Sequence, residues 1–385
     1  MKLESIKYYR SEAEKGEWCI EGKPENDEYG QWCTFGDINL IVGQNATGKT
    51  NTLKVIRDIA DLLAGDDGLS ELLYDTARYE IEFLNHEQKI VYALKFKNAK
   101  VLEEKLFVDG KLLLERDNNG VGKLSDSSIK FKPTENKLFA LIIREALQHP
   151  LFEELHEWGK SLTHYHFGGF MGKDTMARDP NEEFDFKNSS HAIAAFEKAK
   201  NNFGAEFIET IRADMGTMGY SVENIGTAPL KIMKKRLNSS VGEYPIALFV
   251  KETDINDITD QSEMSQGMFR ALSLIIQLNY SLLAKMPSCI LIDDIGEGLD
   301  YGRAKSLIDL IISKASVSSV QILMTTNDRF VMNKMPLEYW SIINRYGQKS
   351  LFYNYRNSAK VFDEFELIGL SNFDFFSSNY FLKPD

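Results

Sequence analysis

The octapeptide GQNATGKT, from Gly43 to Thr50, decides how the rest of the chain is interpreted. It fits the pattern G-x-x-x-x-G-K-[ST], in which backbone N–H groups of a glycine-rich loop converge on phosphate oxygens because few Cβ atoms intervene. Lys49 is expected to reach the β- and γ-phosphates, and the Thr50 hydroxyl to bind Mg²⁺. The residues predicted to bind the nucleotide are Gly43, Gln44, Asn45, Ala46, Thr47, Gly48, Lys49, Thr50 and Asn51.

The sequence on either side of the loop supports this interpretation. Residues 37–42, with the sequence DINLIV, are β-branched and apolar enough to predict a strand that runs into the loop. Residues 51–63 carry apolar side chains at helical spacing, which predicts a helix whose positive N-terminal end points at the phosphates. The alternative is a glycine turn that only resembles the motif, and the two flanking elements count against it.

The composition is that of an ordinary folded protein. Of 385 residues, 43% are hydrophobic and 26% are charged, which argues against a disordered or fibrous chain. The N-terminal residues lack the apolar core of a signal peptide, and no segment approaches the ~20 apolar residues of a membrane span. Three cysteines without metal-ligand spacing fit a reducing compartment, so we expect a cytoplasmic protein with no membrane contact. The formal charge of −12 implies that any DNA contact is local.

The pattern of apolar residues predicts an α/β protein in three segments. Segment 1–135 holds the phosphate loop, and its alternating runs in 78–114 predict an antiparallel β subdomain beside it. Segment 136–243 is predicted to be a mainly helical insertion. Segment 244–385 carries a second set of motifs.

Within the insertion, helices are predicted at 137–162 and 191–215, with an exposed loop at 167–188 between them. Three histidines invite a metal interpretation, but no cysteine or carboxylate cluster lies at metal spacing in the sequence; they are His164, His166 and His191. We therefore interpret them as solvated or hydrogen-bonded. The most basic run is interpreted as a solvated helix face, with a phosphate-binding surface as the alternative; it comprises Lys231, Lys234, Lys235 and Arg236.

In the third segment a predicted strand at 245–250 is followed by a predicted helix whose start carries a serine and a glycine, Ser265 and Gly267, which offer donors to an anion. The apolar run 289–292 then ends in Asp293 and Asp294, as a buried parallel strand delivers acids to the edge of a sheet. Asp293 is expected to bind Mg²⁺, and Asp294 to orient the attacking water. A core strand that simply ends in two solvated acids is the alternative.

The order of these motifs resembles the ABC-type ATPase head of SMC and RecF proteins. The closest likeness is to the compact ATPases of the OLD class and to the stand-alone ATPase subunits of bacterial anti-phage systems of the PARIS or Septu kind. The resemblance covers essentially the whole chain, and it includes a later strand, 320–324, that ends in Thr325, Thr326 and Asn327. By this resemblance Asp293 is Walker B and Asp300 is the D-loop acid. The signature residues are Ser265, Gly267 and Arg270, and the Walker A residues are Gly43, Asn45, Gly48, Lys49 and Thr50.

The resemblance implies that ATP and Mg²⁺ lie between the Walker A loop of one subunit and the signature of a second, which makes a homo-oligomer. It also implies catalytic roles for Lys49, Asp294 and Asn327. Two departures from the resemblance predict slow hydrolysis. Asp294 stands where such heads usually carry Glu. Asn327 stands where they usually carry a histidine, and Asn cannot act as an acid or a base. The glutamine expected between the two lobes is assigned to Gln148 only as a guess.

OLD nucleases continue into a TOPRIM domain, whereas here only 57 residues follow Asp328 (385 minus 328), without a D-x-D pair. The favoured hypothesis is therefore an ATPase that controls a separately encoded effector, such as a TOPRIM or HNH nuclease, in anti-phage defence. A RecF- or SMC-like DNA-maintenance ATPase is the main alternative, and the ATPase subunit of a membrane transporter is a further one.

Overall fold

The computed structural model describes most of the chain in two compact units. The described residues are 1–11, 17–24, 31–72, 74–125, 130–144, 149–169, 171, 173–174, 187–188, 190–231, 246–285, 289–318 and 320–383. Unit 1 comprises Met1–Leu162, Gln321–Asn327 and Met335–Asp385. Unit 2 comprises Thr163–Val320 and Asp328–Lys334. Unit 1 thus combines the first predicted segment with parts of the second and third.

Unit 1 is built on a mixed β-sheet. Its strands are β1 (Lys2–Tyr9), β2 (Cys19–Gly22), β3 (Cys33–Thr34), β4 (Ile38–Val42), β5 (Thr76–Asn85), β6 (Gln88–Lys97), β7 (Lys100–Val108), β8 (Lys111–Arg116), β9 (Gly122–Leu124), β10 (Lys130–Phe131), β16 (Gln321–Thr326), β17 (Trp340–Tyr346) and β18 (Lys349–Asn354). Within the unit they follow the order β10-β9-β8-β7-β6-β5-β1-β2-β18-β17-β4-β16, and β3 pairs with β1.

The sheet has two parts joined at β1. Strands β5 to β10 form an antiparallel meander, and β1 pairs antiparallel with β5 on one side and with β2 on the other. On the far side, β4 runs parallel to both β16 and β17. All five residues of β4 are buried, as its apolar sequence predicts. Strands β5 and β6 of the meander each bury one face, as the period-two pattern predicts.

The helices of unit 1 are α1 (Lys49–Ala64), α2 (Phe139–Ile142), α3 (Pro150–Ser161), α8 (Tyr355–Glu366) and α9 (Asn372–Ser377). Pro150 occupies the first turn of α3, where its missing N–H costs nothing, so a new helix begins there. Gly159 of α3 packs against the backbone of α1 at Ala60, where a Cβ would not fit. In the C-terminal region the aromatic rings of Phe362, Phe365 and Phe375 pack on one another in a buried cluster.

Unit 2 contains a parallel strand pair, a small antiparallel sheet and four helices among its described residues. Its elements are β11 (Thr163–His166), α4 (Ala192–Thr217), β12 (Val222–Pro229), β13 (Ile246–Glu252), β14 (Ile258–Asp260), α5 (Gln266–Leu283), β15 (Cys289–Asp293), α6 (Tyr301–Ser316) and α7 (Arg329–Lys334). Strand β11 is parallel to β15. Strand β13 pairs antiparallel with β12 and β14.

Helix α4 corrects one detail of the prediction. The helical pattern at 191–215 is present, but Gly204 has φ 58° and ψ −131°, so the element is two helices joined at a kink. A buried polar triad connects three helices: Asn279 donates to Asp214 at 2.6 Å, and Lys314 lies 2.9 Å from the same carboxylate. Because the Asp214 carboxylate is paired with Lys314 and also accepts a hydrogen bond from Asn279, the free-energy cost of removing its charge from water is offset.

Some predicted features lie outside the described residues. These are Gln148, the basic residues Lys234, Lys235 and Arg236, and most of the loop predicted at 167–188. Among the described residues, no helix is both long and apolar enough to cross a membrane.

Candidate functional site

The phosphate-binding motif forms a tight loop between β4 and α1 in unit 1. Gly43 packs so closely against the strand behind it that a Cβ would lie 2.5 Å from Cγ2 and 2.7 Å from the carbonyl oxygen of Ile343. Gly48 caps α1 with φ 111°, a conformation that L side chains rarely adopt. Between them Gln44, Asn45 and Ala46 are exposed. The two glycines therefore fix the loop shape that the motif predicts.

The side chain of Lys49 lies inside this loop. The residue is only 6% exposed, and its Nζ donates to the carbonyl oxygens of Gly43 at 2.8 Å and Gln44 at 3.1 Å. A buried ammonium ringed by an exposed glycine loop at a helix N-terminus is the donor set that suits a polyphosphate. Thr50, the second residue of α1, is partly buried, and its hydroxyl is the type of ligand that Mg²⁺ accepts. These residues fit a nucleoside triphosphate with its metal ion.

A hydrogen-bonded chain supports the loop from behind. The Ser350 hydroxyl donates to the carbonyl oxygen of Thr47 at 2.8 Å, and Trp18 Nε1 donates to Ser350 Oγ at 2.8 Å. Arg345 donates to the carbonyl oxygen of Ala46 at 3.2 Å. Sequence reasoning missed these residues, since 303 positions separate Ser350 from Thr47 and no local signal marks the pair.

The strand that ends in Thr325 and Thr326 lies directly beside the loop strand. Strand β16 pairs Thr325 with Ile41 and Thr326 with Val42, so Asn327 follows at the level where the loop begins. Both threonines are fully buried, whereas Asn327 is exposed. Unit 1 therefore brings Asn327 to the same edge as the phosphate-binding loop.

In unit 2, strand β15 delivers the two predicted acids. Every residue of β15 is buried, and Asp293 at its end is 5% exposed. Asp294 follows with φ 54°, in the left-handed region that Asp and Asn enter more readily than most residues. This backbone conformation gives a local reason for a short acid at the position where the resemblance predicts Glu.

The predicted D-loop acid, Asp300, is the N-cap of α6. Its carboxylate accepts the backbone N–H of Arg303 at 3.1 Å and forms an ion pair with the Arg303 side chain. The backbone hydrogen bond and then the guanidinium lower the pKa of Asp300 below its usual value. The carboxylate remains about half exposed, so a capping role and a contact with a further molecule are compatible.

The three predicted signature residues differ in what they contact. Ser265 is exposed and caps α5, where its hydroxyl accepts the backbone N–H of Met268 at 3.2 Å. Gly267 is buried against the turn after β15, and a Cβ there would lie 2.5 Å from the carbonyl oxygen of Gly298. The exposed member is thus Ser265, and it is the one available to a second molecule.

Arg270 is directed into its own unit. Its guanidinium donates to the carbonyl oxygens of Gly168 at 2.6 Å, Gly169 at 2.8 Å and Glu297 at 2.9 Å. These carbonyls belong to the loop after β11 and to the turn after β15, so Arg270 fastens both to α5. The geometry favours a positioning role for Arg270 over the direct nucleotide contact that the motif predicts.

Two of the three histidines interpreted as solvated or hydrogen-bonded lie beside a carboxylate of a neighbouring strand. Strand β11 lies parallel to β15 with His166 opposite Asp293, and one ligand atom from each of His164, His166 and Asp293 lies within 4.8 Å of the others. His164 is buried, and the His166 side chain is 45% exposed. The sequence could not show this group, because the carboxylate comes from a neighbouring strand far along the chain. His191 lies elsewhere, hydrogen-bonded to Asn188.

The fold is similar to solved SMC heads. An SMC head bound to the C-winged helix domain of ScpA shares 12% identity over 91% of this chain and 97% of that chain, with a TM-score of 0.54. An SMC head of Pyrococcus furiosus bound to the C-terminal domain of ScpA shares 12% identity over 95% of this chain and 99% of that chain, with a TM-score of 0.48. The first likeness confirms the predicted ABC-type head fold. No curated protein matches the chain.

A family model described as "AAA domain, putative AbiEii toxin, Type IV TA system" matches residues 38–333. The matched region spans 296 residues (333 − 38 + 1) of the 385 and includes both the phosphate-binding loop and Asp293. The chain therefore belongs to this family of P-loop ATPase domains.

Proposed function

We propose that the protein is an ATPase that binds ATP with Mg²⁺ at residues 43–51 and hydrolyses it slowly. The observation that carries this proposal is the Lys49 ammonium, buried inside an exposed glycine loop at the N-terminus of α1. Backbone N–H groups, a buried cation and a positive helix end act together on phosphate oxygens. In this proposal Mg²⁺ is held by Thr50 and Asp293, and it neutralises charge on the phosphates when bound.

The slow rate is assigned to two residues. Asp294 orients the attacking water, but its carboxylate is one methylene shorter than that of Glu. Asn327 holds a hydrogen bond near the reacting phosphate and does not transfer a proton. Loss of a general acid or base lowers the rate of hydrolysis by about 10²- to 10⁴-fold. ATP therefore stays bound for a long time before it is hydrolysed, and in this proposal its binding, not its hydrolysis, controls the activity of the protein.

The proposal extends to assembly. Ser265 and Gly267 of a second copy would complete the nucleotide site, together with the D-loop residue Asp300, in a homo-oligomer. The exposure of Ser265 at the N-terminus of α5 supports this, because such a helix end offers positive charge and donors to a γ-phosphate. Arg270 contributes by holding the start of α5 in place.

The output proposed is control of a separately encoded effector, such as a TOPRIM or HNH nuclease, in cytoplasmic anti-phage defence. The motif resemblance to stand-alone defence ATPases supports it, as does a family description that names a toxin system. The solved SMC heads are described with a bound protein, ScpA, which is consistent with a head of this fold acting on a protein partner. DNA contact, if present, is local.

ATP binding is tested with a fluorescent ATP analogue and the Lys49→Ala variant. Loss of contacts to two phosphates, at about 1.5 kcal/mol each, predicts roughly 100-fold weaker binding. Lys54→Ala is the matched control, since it removes a lysine from the same helix without touching the loop. Equal affinity in wild type and Lys49→Ala would refute nucleotide binding at this loop.

Assembly is tested by light scattering with and without ATP, using Asp294→Ala to suppress turnover. A second copy should associate only when ATP is present, and Ser265→Arg should prevent it. Ser316→Arg, at an exposed position at the far end of α6, is the control. A monomer under all conditions would exclude the sandwich and leave ATP binding standing.

The effector is tested by expressing the gene with its genomic neighbours and challenging the cells with phage. Protection that is lost with Lys49→Ala and kept with Lys54→Ala, together with co-purification of a neighbouring nuclease, is the expected result. Salt-dependent DNA binding without phage protection would instead favour the DNA-maintenance alternative.

A further inference from the structure

Two adjacent parallel strands in unit 2 place two imidazoles and a carboxylate on one face. His164 and His166 are two positions apart on β11, so their side chains point to the same side of the sheet. Asp293 is in register with His166 on β15. We propose that His164, His166 and Asp293 form a binding site for a divalent transition-metal ion of the zinc type.

The distances suit one ion between the three side chains. His166 Nδ1 lies 3.7 Å from Asp293 Oδ2, and the two imidazole centroids are 4.2 Å apart. Ligands at about 2.0–2.1 Å from a tetrahedral Zn²⁺ lie roughly 3.4 Å from one another, so small rotations of the side chains close the group around an ion. The half-exposed His166 provides the entry path, while the buried His164 and Asp293 are held by the strands.

The donor set discriminates between metals. Mg²⁺ prefers oxygen ligands in an octahedron, and two imidazoles are poor partners for it. Zinc accepts imidazole nitrogen and carboxylate oxygen, and three protein ligands leave a fourth position open to water or a phosphate oxygen. The site therefore differs in chemistry from the Mg²⁺ site of the proposed function, although both use Asp293.

Charges around the group favour a cation. A Cβ built on Gly168, just after β11, would lie 3.3 Å from Asp294 Oδ2 and 2.6 Å from Glu297 Oε2. Two further carboxylates thus face the loop that leaves the histidines. The nearby Arg270 is 3.9 Å from Glu297 and donates to backbone carbonyls, so it offsets part of this negative charge.

One consequence rests on the proposed function. A zinc ion on His164 and His166 would withdraw Asp293 from the Mg²⁺ of the nucleotide. Zinc should then inhibit ATP turnover in the wild-type protein, and the inhibition should be lost in His166→Gln.

The site is tested on the full chain, stripped of metal and free of nucleotide. Zn²⁺ is titrated in competition with a chromophoric chelator, and Co²⁺ is titrated while its visible absorption is recorded. One ion per chain is expected, with the intense cobalt bands of a four-coordinate site. His166→Gln should bind zinc roughly 100-fold more weakly or worse, since even the loss of a hydrogen-bond partner of a metal ligand costs about 10- to 100-fold in affinity. His86→Asn removes an exposed histidine from the turn between β5 and β6 and should bind like wild type.

Thermal unfolding of each variant without metal checks that the fold is retained; the exposed His166 is substituted first for this reason. Lys49→Ala, in unit 1, should lose ATP and keep zinc, which separates this proposal from the proposed function. Wild-type protein that fails to bind zinc at micromolar concentrations, or His166→Gln that binds as tightly as wild type, would overturn the metal site.

Discussion

The phosphate-binding loop and the start of α5 are both predicted from their motifs to contact the nucleotide, yet their side chains make different kinds of contact. In the loop, the buried Lys49 ammonium donates to the carbonyl oxygen of Gly43. The loop backbone is held at Thr47 by Ser350, which in turn accepts a hydrogen bond from Trp18. At α5, Ser265 is exposed while Arg270 reaches back to fasten two loops of its own unit. A motif residue can therefore serve a site by contacting a ligand or by holding the backbone that does.

The largest effect is expected where the loop packs most tightly. Gly43→Ala places a Cβ 2.5 Å from Ile343, so the loop must shift, and a displacement of about 1 Å can cost ~100-fold in turnover. Gly36→Ala is the control, since the nearest atom to its Cβ would be 3.9 Å away. ATP turnover and affinity are measured for both; retention of wild-type activity by Gly43→Ala would show that the loop is not held as described.

The next effect compares two arginines that both donate to loop carbonyls. Arg270 is 10% exposed, and Arg270→Ala removes the donor of three partly buried hydrogen bonds, so it should cost about 2–5 kcal/mol in the free energy of unfolding. Arg345 is exposed, and Arg345→Ala should cost less than about 1 kcal/mol. Urea unfolding measures both. A smaller loss for Arg270 than for Arg345 would contradict the fastening role.

A smaller loss of stability is expected when the hydrogen bonds that hold the phosphate-binding loop through Ser350 are removed. Ser350→Ala removes the bridge between Trp18 and Thr47 and should cost about 1–2 kcal/mol, with weaker ATP binding. Ser5→Ala is the matched control, because among the described residues its buried hydroxyl has no hydrogen-bond partner. The Ser5 variant should be neutral or slightly more stable. Equal effects of the two substitutions would show that the bridge does not support the loop.

The smallest effect is electrostatic. The pKa of Asp300 is lower in the folded protein than in the unfolded chain, so its stabilisation is present above the unfolded pKa of about 3.9 and is lost as the pH falls below it. Asp300→Asn should reduce the dependence of stability on pH between about pH 5 and 3. Unfolding at several pH values measures this, and high salt should shrink the difference because the group is exposed. An unchanged pH profile would exclude the ion pair with Arg303.

Local features were predictable because their signals are local. The strand, loop and helix around Lys49 follow from period, glycine positions and apolar spacing, and Pro150 starts α3 as its chemistry requires. Strands of the meander follow from the alternation of buried and exposed residues. Helix α4 shows the limit, since the apolar spacing continues through Gly204 and does not reveal the kink.

Features that join distant segments could not be predicted. The Trp18–Ser350–Thr47 chain, the contacts of Arg270 with Gly168 and Gly169, and the pairing of His166 with Asp293 all depend on which strands become neighbours. Strand order is set by the packing of the whole sheet, and spacing along the chain does not encode it. For this reason the sequence does not reveal that His164, His166 and Asp293 lie close together.

The position of β4 also bears on how the protein is made. Its two partners in unit 1, β16 and β17, are synthesised about 280 and 300 residues after it, as the pairings of Ile41 with Thr325 and of Leu40 with Trp340 illustrate. During translation the strand that leads into the phosphate-binding loop therefore waits with exposed edges until Tyr346 has left the ribosome. Such long-range pairing slows folding and leaves an apolar strand open to aggregation. The nascent chain should acquire its ability to bind ATP only after β17 has been synthesised.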